Sequence, residues 1–195
     1  MVRRKIVLAV ILILVSMTCV CEALRAEDEN LEKVRSEATR GNADAQAQLA
    51  YLYQVGEGVT PDYGEAAKWN KKAADQGHAI AQSNLAYMYW KAIGVPADCE
   101  EAVRLYRESA GQGWMEAQHN LGMLYLEGSC GPVDYMNAYI WVNIAYYQGS
   151  KASKAVMDKI AREMSPDQIE DAQLRAAGMW EDIRKKKRDA SRNTP

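Results

Sequence analysis

The sequence predicts an all-α protein, a right-handed α/α solenoid of three helix-pair repeats with capping helices at both ends. Three observations support this fold class. Glycine recurs every 36 residues, at Gly41, Gly77, Gly113 and Gly149. Other positions between these glycines keep the same interval, and their apolar residues are spaced by three or four, which places them on one helix face. Helix pairs with this pattern bury their apolar faces only by stacking on neighbouring pairs, as in a solenoid.

Eight further positions recur in three copies of the repeat, which we place at 41–76, 77–112 and 113–148. Each position keeps the same residue or a closely related type in most copies. In the first copy they are Ala45, Leu49, Tyr53, Asp62, Ala66, Trp69, Ala73 and Gln76, and the other copies follow at steps of 36 residues. This regularity is the strongest structural signal in the chain.

Each repeat is predicted to contain two helices. Ala45, Leu49 and Tyr53 lie four residues apart and form one face of the first helix, which Gly56 ends. Asp62 is a suitable N-cap for the second helix, because its carboxylate can accept a backbone hydrogen bond from the first turn. The glycine at the start of the next repeat ends the second helix, since it can adopt a positive φ angle.

Both ends of the array are expected to carry capping helices. An N-terminal helix over residues 28–40 is indicated by Leu31, Val34 and Ala38. The C-terminal caps are placed at 149–183, where Ser165 to Gln168 forms a capping box that opens the last helix. Residues 184–195 begin with five consecutive basic residues and are predicted to be a disordered tail. The basic run suits a solvated helix end, and contact with a membrane surface or an acidic partner is the alternative.

The first 23 residues are predicted to be a secretory signal peptide. Basic residues at positions 3–5 precede an uncharged run from Ile6 to Cys21. This run is shorter than the ~20 apolar residues that a membrane-spanning helix usually needs, so cleavage after Ala23 is favoured. We therefore expect an exported protein, periplasmic or secreted, with no membrane span after cleavage. An uncleaved leader that anchors the protein in the membrane is the alternative.

The repeat pattern resembles a known family. The run Leu49-Ala50, Tyr53, Gly56-Glu57-Gly58-Val59, Asp62, Ala66, Trp69 and Gln76-Gly77 is similar to the Sel-one-like repeat, a relative of the tetratricopeptide repeat. The third copy departs from the pattern at Cys130-Gly131, where Gly-Val would stand. The resemblance implies a scaffold or adaptor that binds other proteins, and it assigns no shared catalytic residues.

Beside its core-facing residues, the first helix of each repeat has a second row of side chains, which we term the stripe, that is not needed to form the core. In repeats of this type the first helices line the concave face, so we expect the stripe to bind a protein or peptide partner. Tyrosine, tryptophan and methionine are enriched at the centres of such interfaces. The alternative is that Tyr51 and Tyr87 only pack on the next repeat. The stripe comprises Ala47, Tyr51, Gln54, Ser83, Tyr87, Trp90, His119, Met123 and Leu126.

Two cysteines remain after cleavage of the predicted leader. Cys99 begins the second helix of the middle repeat, and Cys130 follows the first helix of the next repeat. Antiparallel neighbouring helices bring these ends together, and a disulfide requires Cα atoms within about 7 Å of each other. An exported protein permits the bond. The sequence leaves both the disulfide and two free thiols open.

The sequence contains no recognisable catalytic constellation. His78 and His119 lack partners at metal-ligand spacing, and neither a zinc-protease helix nor a nucleophile elbow occurs. The net charge of −2 gives no indication of nucleic-acid binding. We therefore expect a scaffold or regulatory adaptor of the cell envelope, not an enzyme, with no cofactor and no metal. The alternatives are an envelope hydrolase acting on cell-wall material or β-lactams, and a membrane-tethered sensor. The oligomeric state is left open.

Overall fold

A computed structural model describes residues 29–192 of the chain. Within that range, all regular secondary structure is helical. The predicted leader at 1–23 lies outside the described residues. The helices are α1 (29–39), α2 (Ala43–Val55), α3 (Tyr63–Ala74), α4 (Ala79–Lys91), α5 (Cys99–Gly111), α6 (Met115–Glu127), α7 (Tyr135–Tyr147), α8 (Lys151–Ile160) and α9 (Pro166–Arg192), with a 3₁₀ turn at Ala161–Glu163.

The helices stack as consecutive antiparallel pairs. Helices α2 and α3, α4 and α5, and α6 and α7 form the three hairpins, and each hairpin packs on the next through α3–α4 and α5–α6 contacts. At the C-terminal end, α8 and α9 both pack on α7. The α/α solenoid with three repeats is therefore confirmed. None of the helices between residues 29 and 192 has the length and apolar character needed to cross a membrane.

The recurring aspartates are the N-caps of the second helices. Asp62 accepts a hydrogen bond from the Glu65 backbone N–H at 3.0 Å, and Asp98 accepts one from Glu101 at 3.0 Å. Asp134 repeats the contact in the third pair. Each cap satisfies one of the free N–H groups of the first turn, so the 36-residue spacing of these acids has a structural cause.

The recurring alanines and leucines form the core between the layers. Leu49, Leu85 and Leu121 are each at most 2% exposed, and the alanines at the matched heights are also buried. A smaller apolar cluster joins α1 to α2, and Tyr53 packs against both that cluster and the main core. The apolar interior therefore continues from the N-terminal cap into the repeats.

Buried glutamines add a polar connection between the layers. Gln82 donates its amide N–H to the Ala74 carbonyl of the preceding repeat, and its own Oε1 accepts a hydrogen bond from Gln112 at 2.7 Å. The same pairing recurs one repeat earlier and one repeat later, as Gln46 with Gln76 and Gln118 with Gln148. A buried amide costs free energy unless it is hydrogen-bonded, and this arrangement pairs both ends of each one.

The last helix is longer than the sequence predicted. Residues 184–192 continue α9, so the prediction of a disordered tail beginning at Arg184 is wrong for them. Ile183 is only 5% exposed, and the Lys187 ammonium donates a hydrogen bond to the Gly113 carbonyl at 3.1 Å. Ion pairs from Arg184 and Arg188 to Glu181 also stabilise this segment. These contacts hold the basic end of α9 against the turn between α5 and α6.

Candidate protein-binding face

The first helices of the three repeats form one continuous face, which we term the concave face and define as the outward surface of α2, α4 and α6. Their neighbouring positions are linked directly: the Gln54 amide on α2 lies 3.7 Å from the Met88 sulfur on α4. A groove of about 290 Å³ crosses all three helices. It is lined by Gln54, Ser83, Asn84, Tyr87, Trp114, Glu116 and Asn120.

The predicted stripe divides into exposed and packed residues. Tyr51 is 53% exposed and Tyr87 is 43% exposed, and these are the large side chains of the stripe that face solvent. Gln54 and Met123 are half-buried, whereas Ser83 is 4% exposed and contributes little accessible surface. Within the stripe, the accessible aromatic surface is therefore concentrated on Tyr51 and Tyr87.

Trp90 and Leu126 support the face from beneath. Both are partly buried and pack against the main core. The Trp90 ring stands edge-on to Tyr87 and to Tyr106, with ring centroids 6.2 and 6.4 Å apart. The Lys91 ammonium covers the other side of the indole at 3.4 Å from its centre. Trp90 therefore orients Tyr87, and removing it would also disturb the core.

His119 connects the third repeat to the C-terminal cap. Its Nδ1 lies 2.9 Å from the Ser153 hydroxyl on α8, and that hydroxyl donates to Ser150 at 2.8 Å. Burial lowers the pKa of His119 below its ordinary value. Burial thus favours the neutral form of the ring, and its contact with Ser153 joins α6 to α8. Ala47, the smallest residue of the predicted stripe, packs against the main core.

Four groove residues, Asn84, Trp114, Glu116 and Asn120, were not among the predicted site residues and add hydrogen-bonding groups. Asn84 and Asn120 lie one repeat apart, and Trp114 follows the turn glycine Gly113. The spacing of the two asparagines was a usable signal, although the first repeat has Gln48 at that position. Asn120 also contacts the hydroxyl of Tyr106, whose pKa is raised by burial far above its ordinary value. The floor of the groove is therefore neutral and polar.

A disulfide joins the second repeat to the third. Cys99 at the start of α5 is bonded to Cys130 in the loop between α6 and α7, with Cα atoms 5.1 Å apart. The bond closes a segment with a sequence separation of 31 residues. It fixes the start of the second helix of one repeat to the loop of the next.

No group of three or more metal-ligating side chains is placed together in residues 29–192. The lining of the groove contains neither histidine nor cysteine. The arrangement offers surface, hydrogen-bond donors and one carboxylate, and these are groups suited to recognition.

The stacked helix pairs and the exposed aromatic face define an α/α solenoid of the kind that mediates protein–protein interactions. Residues 43–78, 79–114 and 116–150 each match the Sel1 repeat. The chain therefore belongs to the Sel1 repeat family, whose members are generally protein-interaction scaffolds.

Two crystal structures show the same architecture. A Sel1 repeat protein from Oxalobacter formigenes is 32% identical in sequence, with a TM-score of 0.62 over 70% of this chain and 57% of that protein. A protective antigen present in uropathogenic Escherichia coli strains, which displays an SLR fold, is 26% identical, with a TM-score of 0.60 over 78% of this chain and 41% of that protein. This chain thus spans less than two thirds of either relative. No curated protein matches the chain.

Proposed function

We propose that the protein is a scaffold or regulatory adaptor of the cell envelope, and that its concave face captures a partner protein or peptide. The observation that carries this proposal is the exposure of Tyr51 and Tyr87 on a face whose packing does not require them. A tyrosine that buries about 100 Å² more of its surface on binding contributes about 2.5 kcal/mol before ordering costs. Two such side chains beside a groove form the centre of the proposed interface.

Two features support a location outside the cytoplasm. The leader at residues 1–23 has the charge and apolar pattern of a secretory signal. The disulfide between Cys99 and Cys130 is of a kind that persists in oxidising compartments. Mass spectrometry of the protein purified from its native envelope tests the location. We expect a chain that begins after Ala23, and an intact N-terminus would favour the membrane-anchored alternative.

Affinity capture from the native envelope tests the binding face. The double variant Tyr51→Ala/Tyr87→Ala should lose the partner, because it removes the exposed aromatic surface while leaving the core leucines in place. Tyr147→Ala is the matched control, since Tyr147 is 58% exposed on α7 and lies outside the groove. Equal capture by the wild type and the double variant, with helicity unchanged by circular dichroism, would contradict the proposed face.

A further inference from the structure

We propose that the disulfide between Cys99 and Cys130 is a site of thiol–disulfide exchange in the folded protein, and that its reduction by a dithiol releases the loop between α6 and α7 (residues 128–134). The inference goes beyond the proposed function and does not depend on the concave face. Three features carry it: the accessibility of the bond, the way in which this loop is held, and the contacts that keep the neighbouring helices together.

The disulfide is accessible from solvent. Cys99 is exposed at the first position of α5, and Cys130 is half-buried. Both line a cavity of about 730 Å³ that runs along α5. The lining of this cavity includes two arginines and two glutamates, so an approaching thiolate meets no net negative charge. A thiol can therefore attack the bond without prior unfolding of the protein.

The corresponding loops of the first two repeats are held by apolar packing. Val59 packs against the small cluster that joins α1 to α2, and Val95 packs against the main core. Gly94 lies so close to the start of α3 that an added Cβ would be 2.7 Å from the Cβ of Tyr63. Noncovalent contacts are therefore sufficient to fix a loop of this kind on its neighbours.

The α6–α7 loop has a disulfide in place of this packing. Cys99 and Cys130 lie 36 residues after Tyr63 and Gly94, so the bond stands at the position of that close contact. The anchoring valine of the other loops is replaced by Gly131, where an added Cβ would meet nothing within 4 Å. The disulfide thus holds a loop that has lost its apolar anchor, and breaking the bond should release it.

The helices on either side of the loop are joined independently of the disulfide. The Gln118 amide on α6 donates a hydrogen bond to the Ala110 carbonyl on α5 at 3.1 Å. Leu105 on α5 and Leu121 on α6 are both buried in the main core. Because these contacts do not involve the cysteines, reduction should leave α5 and α6 packed and act on the loop alone.

The exchange is a two-electron reaction between the disulfide and the dithiol. One thiolate of the dithiol attacks the Cys99 sulfur and forms a mixed disulfide, while the bond to Cys130 breaks and Cys130 leaves as a thiolate. The second thiolate of the dithiol then displaces Cys99 and closes the oxidised disulfide of the reductant. The two protons that the dithiol loses are balanced by the two that the cysteine thiolates take up. Arg107 lines both cavities that Cys130 borders, so a cation lies on the side of the departing thiolate.

The kinetics of reduction by dithiothreitol test the accessibility of the bond. The folded full chain is treated with increasing dithiothreitol and alkylated at intervals, and mass spectrometry follows the peptides that contain Cys99 and Cys130. We expect the rate of reduction to rise in proportion to the dithiothreitol concentration, and to lie within about tenfold of the rate for the urea-unfolded chain. A rate in native buffer that becomes independent of the dithiothreitol concentration would overturn the proposal, because reduction would then be limited by unfolding.

Hydrogen exchange locates the released segment. The Asp134 amide donates to the Tyr125 carbonyl at 3.0 Å, and the Asn137 amide donates to the Asp134 carboxylate at 2.9 Å. Both bonds depend on the position of the loop, so both amides should exchange at least about tenfold faster in the reduced protein. The Asp62 amide, which donates to the Tyr53 carbonyl in the first repeat, is the internal control and should be unchanged.

Two variants separate the bond from the reagent. Cys99→Ser/Cys130→Ser should show the fast loop exchange with and without dithiothreitol, and circular dichroism should show unchanged helicity. Val95→Ala weakens the anchor of the preceding loop and should speed exchange of the Asp98 amide in both redox states. Loop exchange that reduction does not change would overturn the inference. Loss of protection throughout α5 and α6, or loss of helicity in the double variant, would also overturn it, because the disulfide would then be required for the fold.

Discussion

The close packing of α6 on α7 predicts opposite effects for two glycine substitutions. Gly122 is buried in α6, where an added Cβ would lie within contact distance of the Val142 methyl and 3.0 Å from the Ala138 carbonyl oxygen. Gly178 lies in α9, where an added Cβ would meet nothing within 4 Å. Alanine in place of glycine within a helix gains about 1 kcal/mol. Gly178→Ala should therefore stabilise the protein by about 1 kcal/mol.

Gly122→Ala should destabilise the protein instead. Overpacking a core costs about 1–3 kcal/mol, and the Ala138 carbonyl is a backbone atom that cannot rotate away. Subtracting the helix gain of about 1 kcal/mol leaves a net loss of up to about 2 kcal/mol. Urea denaturation followed by circular dichroism measures both changes. Adding Val142→Ala to the Gly122→Ala variant removes the obstructing methyl groups. Val142→Ala should therefore lower the free energy of unfolding less in that variant than in the wild type. Stabilisation by Gly122→Ala, or equal effects of the two glycine substitutions, would refute this account of the helix contact.

Three further effects follow from the structure. Reducing the Cys99–Cys130 disulfide should lower the free energy of unfolding by about 3.5 kcal/mol, because the bond closes a loop with a sequence separation of 31 residues. Thermal melts with and without reductant measure this effect, and equal melting temperatures would contradict it. Gln118→Leu should cost about 1–3 kcal/mol in urea denaturation, since Gln118 is fully buried and its loss removes both the hydrogen bond to the Ala110 carbonyl and the acceptor of the Gln148 amide. A neutral effect would show that water replaces these bonds. Because burial lowers the pKa of His119 in the folded state, the unfolded chain takes up the proton first, so stability should fall as pH decreases below about 6.5. His119→Gln should flatten this part of the curve of melting temperature against pH, and an unchanged curve would assign the effect to another group.

The periodic features of the fold were predictable because a local cause recurs in each repeat. Asp62, Asp98 and Asp134 were identifiable as caps from spacing alone, since capping depends on a few adjacent residues. The turn glycines Gly77 and Gly113 have φ angles of 82°, as their place after a helix indicated. Such signals do not require knowledge of which helices are neighbours.

The remaining features depend on contacts between distant segments. The buried glutamine column was not recognised, because glutamine is usually exposed and its partner carbonyl lies in the preceding repeat. The length of α9 was underestimated, because the contact of Lys187 with Gly113 joins segments 74 residues apart. Gly122 is likewise explained only by Val142 on the facing helix. Composition and residue spacing within one helix do not predict these contacts between distant segments.

The residues on the concave face differ from repeat to repeat, whereas the core residues stay nearly the same. The two ends of the face are therefore chemically different. Tyrosine occupies the outward position in the first two repeats, whereas the third has Met123. The position of Glu116 in the third repeat is occupied by Asp44 in the first repeat and by Ile80 in the second. The Asp44 carboxylate lies 3.1 Å from the His78 ring. The third repeat is therefore where the groove has a carboxylate without a partner in the described chain. Because the core columns stay constant while these positions differ, a bound segment meets aromatic surface toward α2 and charge toward α6. A ligand that lacks this asymmetry should bind in both orientations, and more weakly.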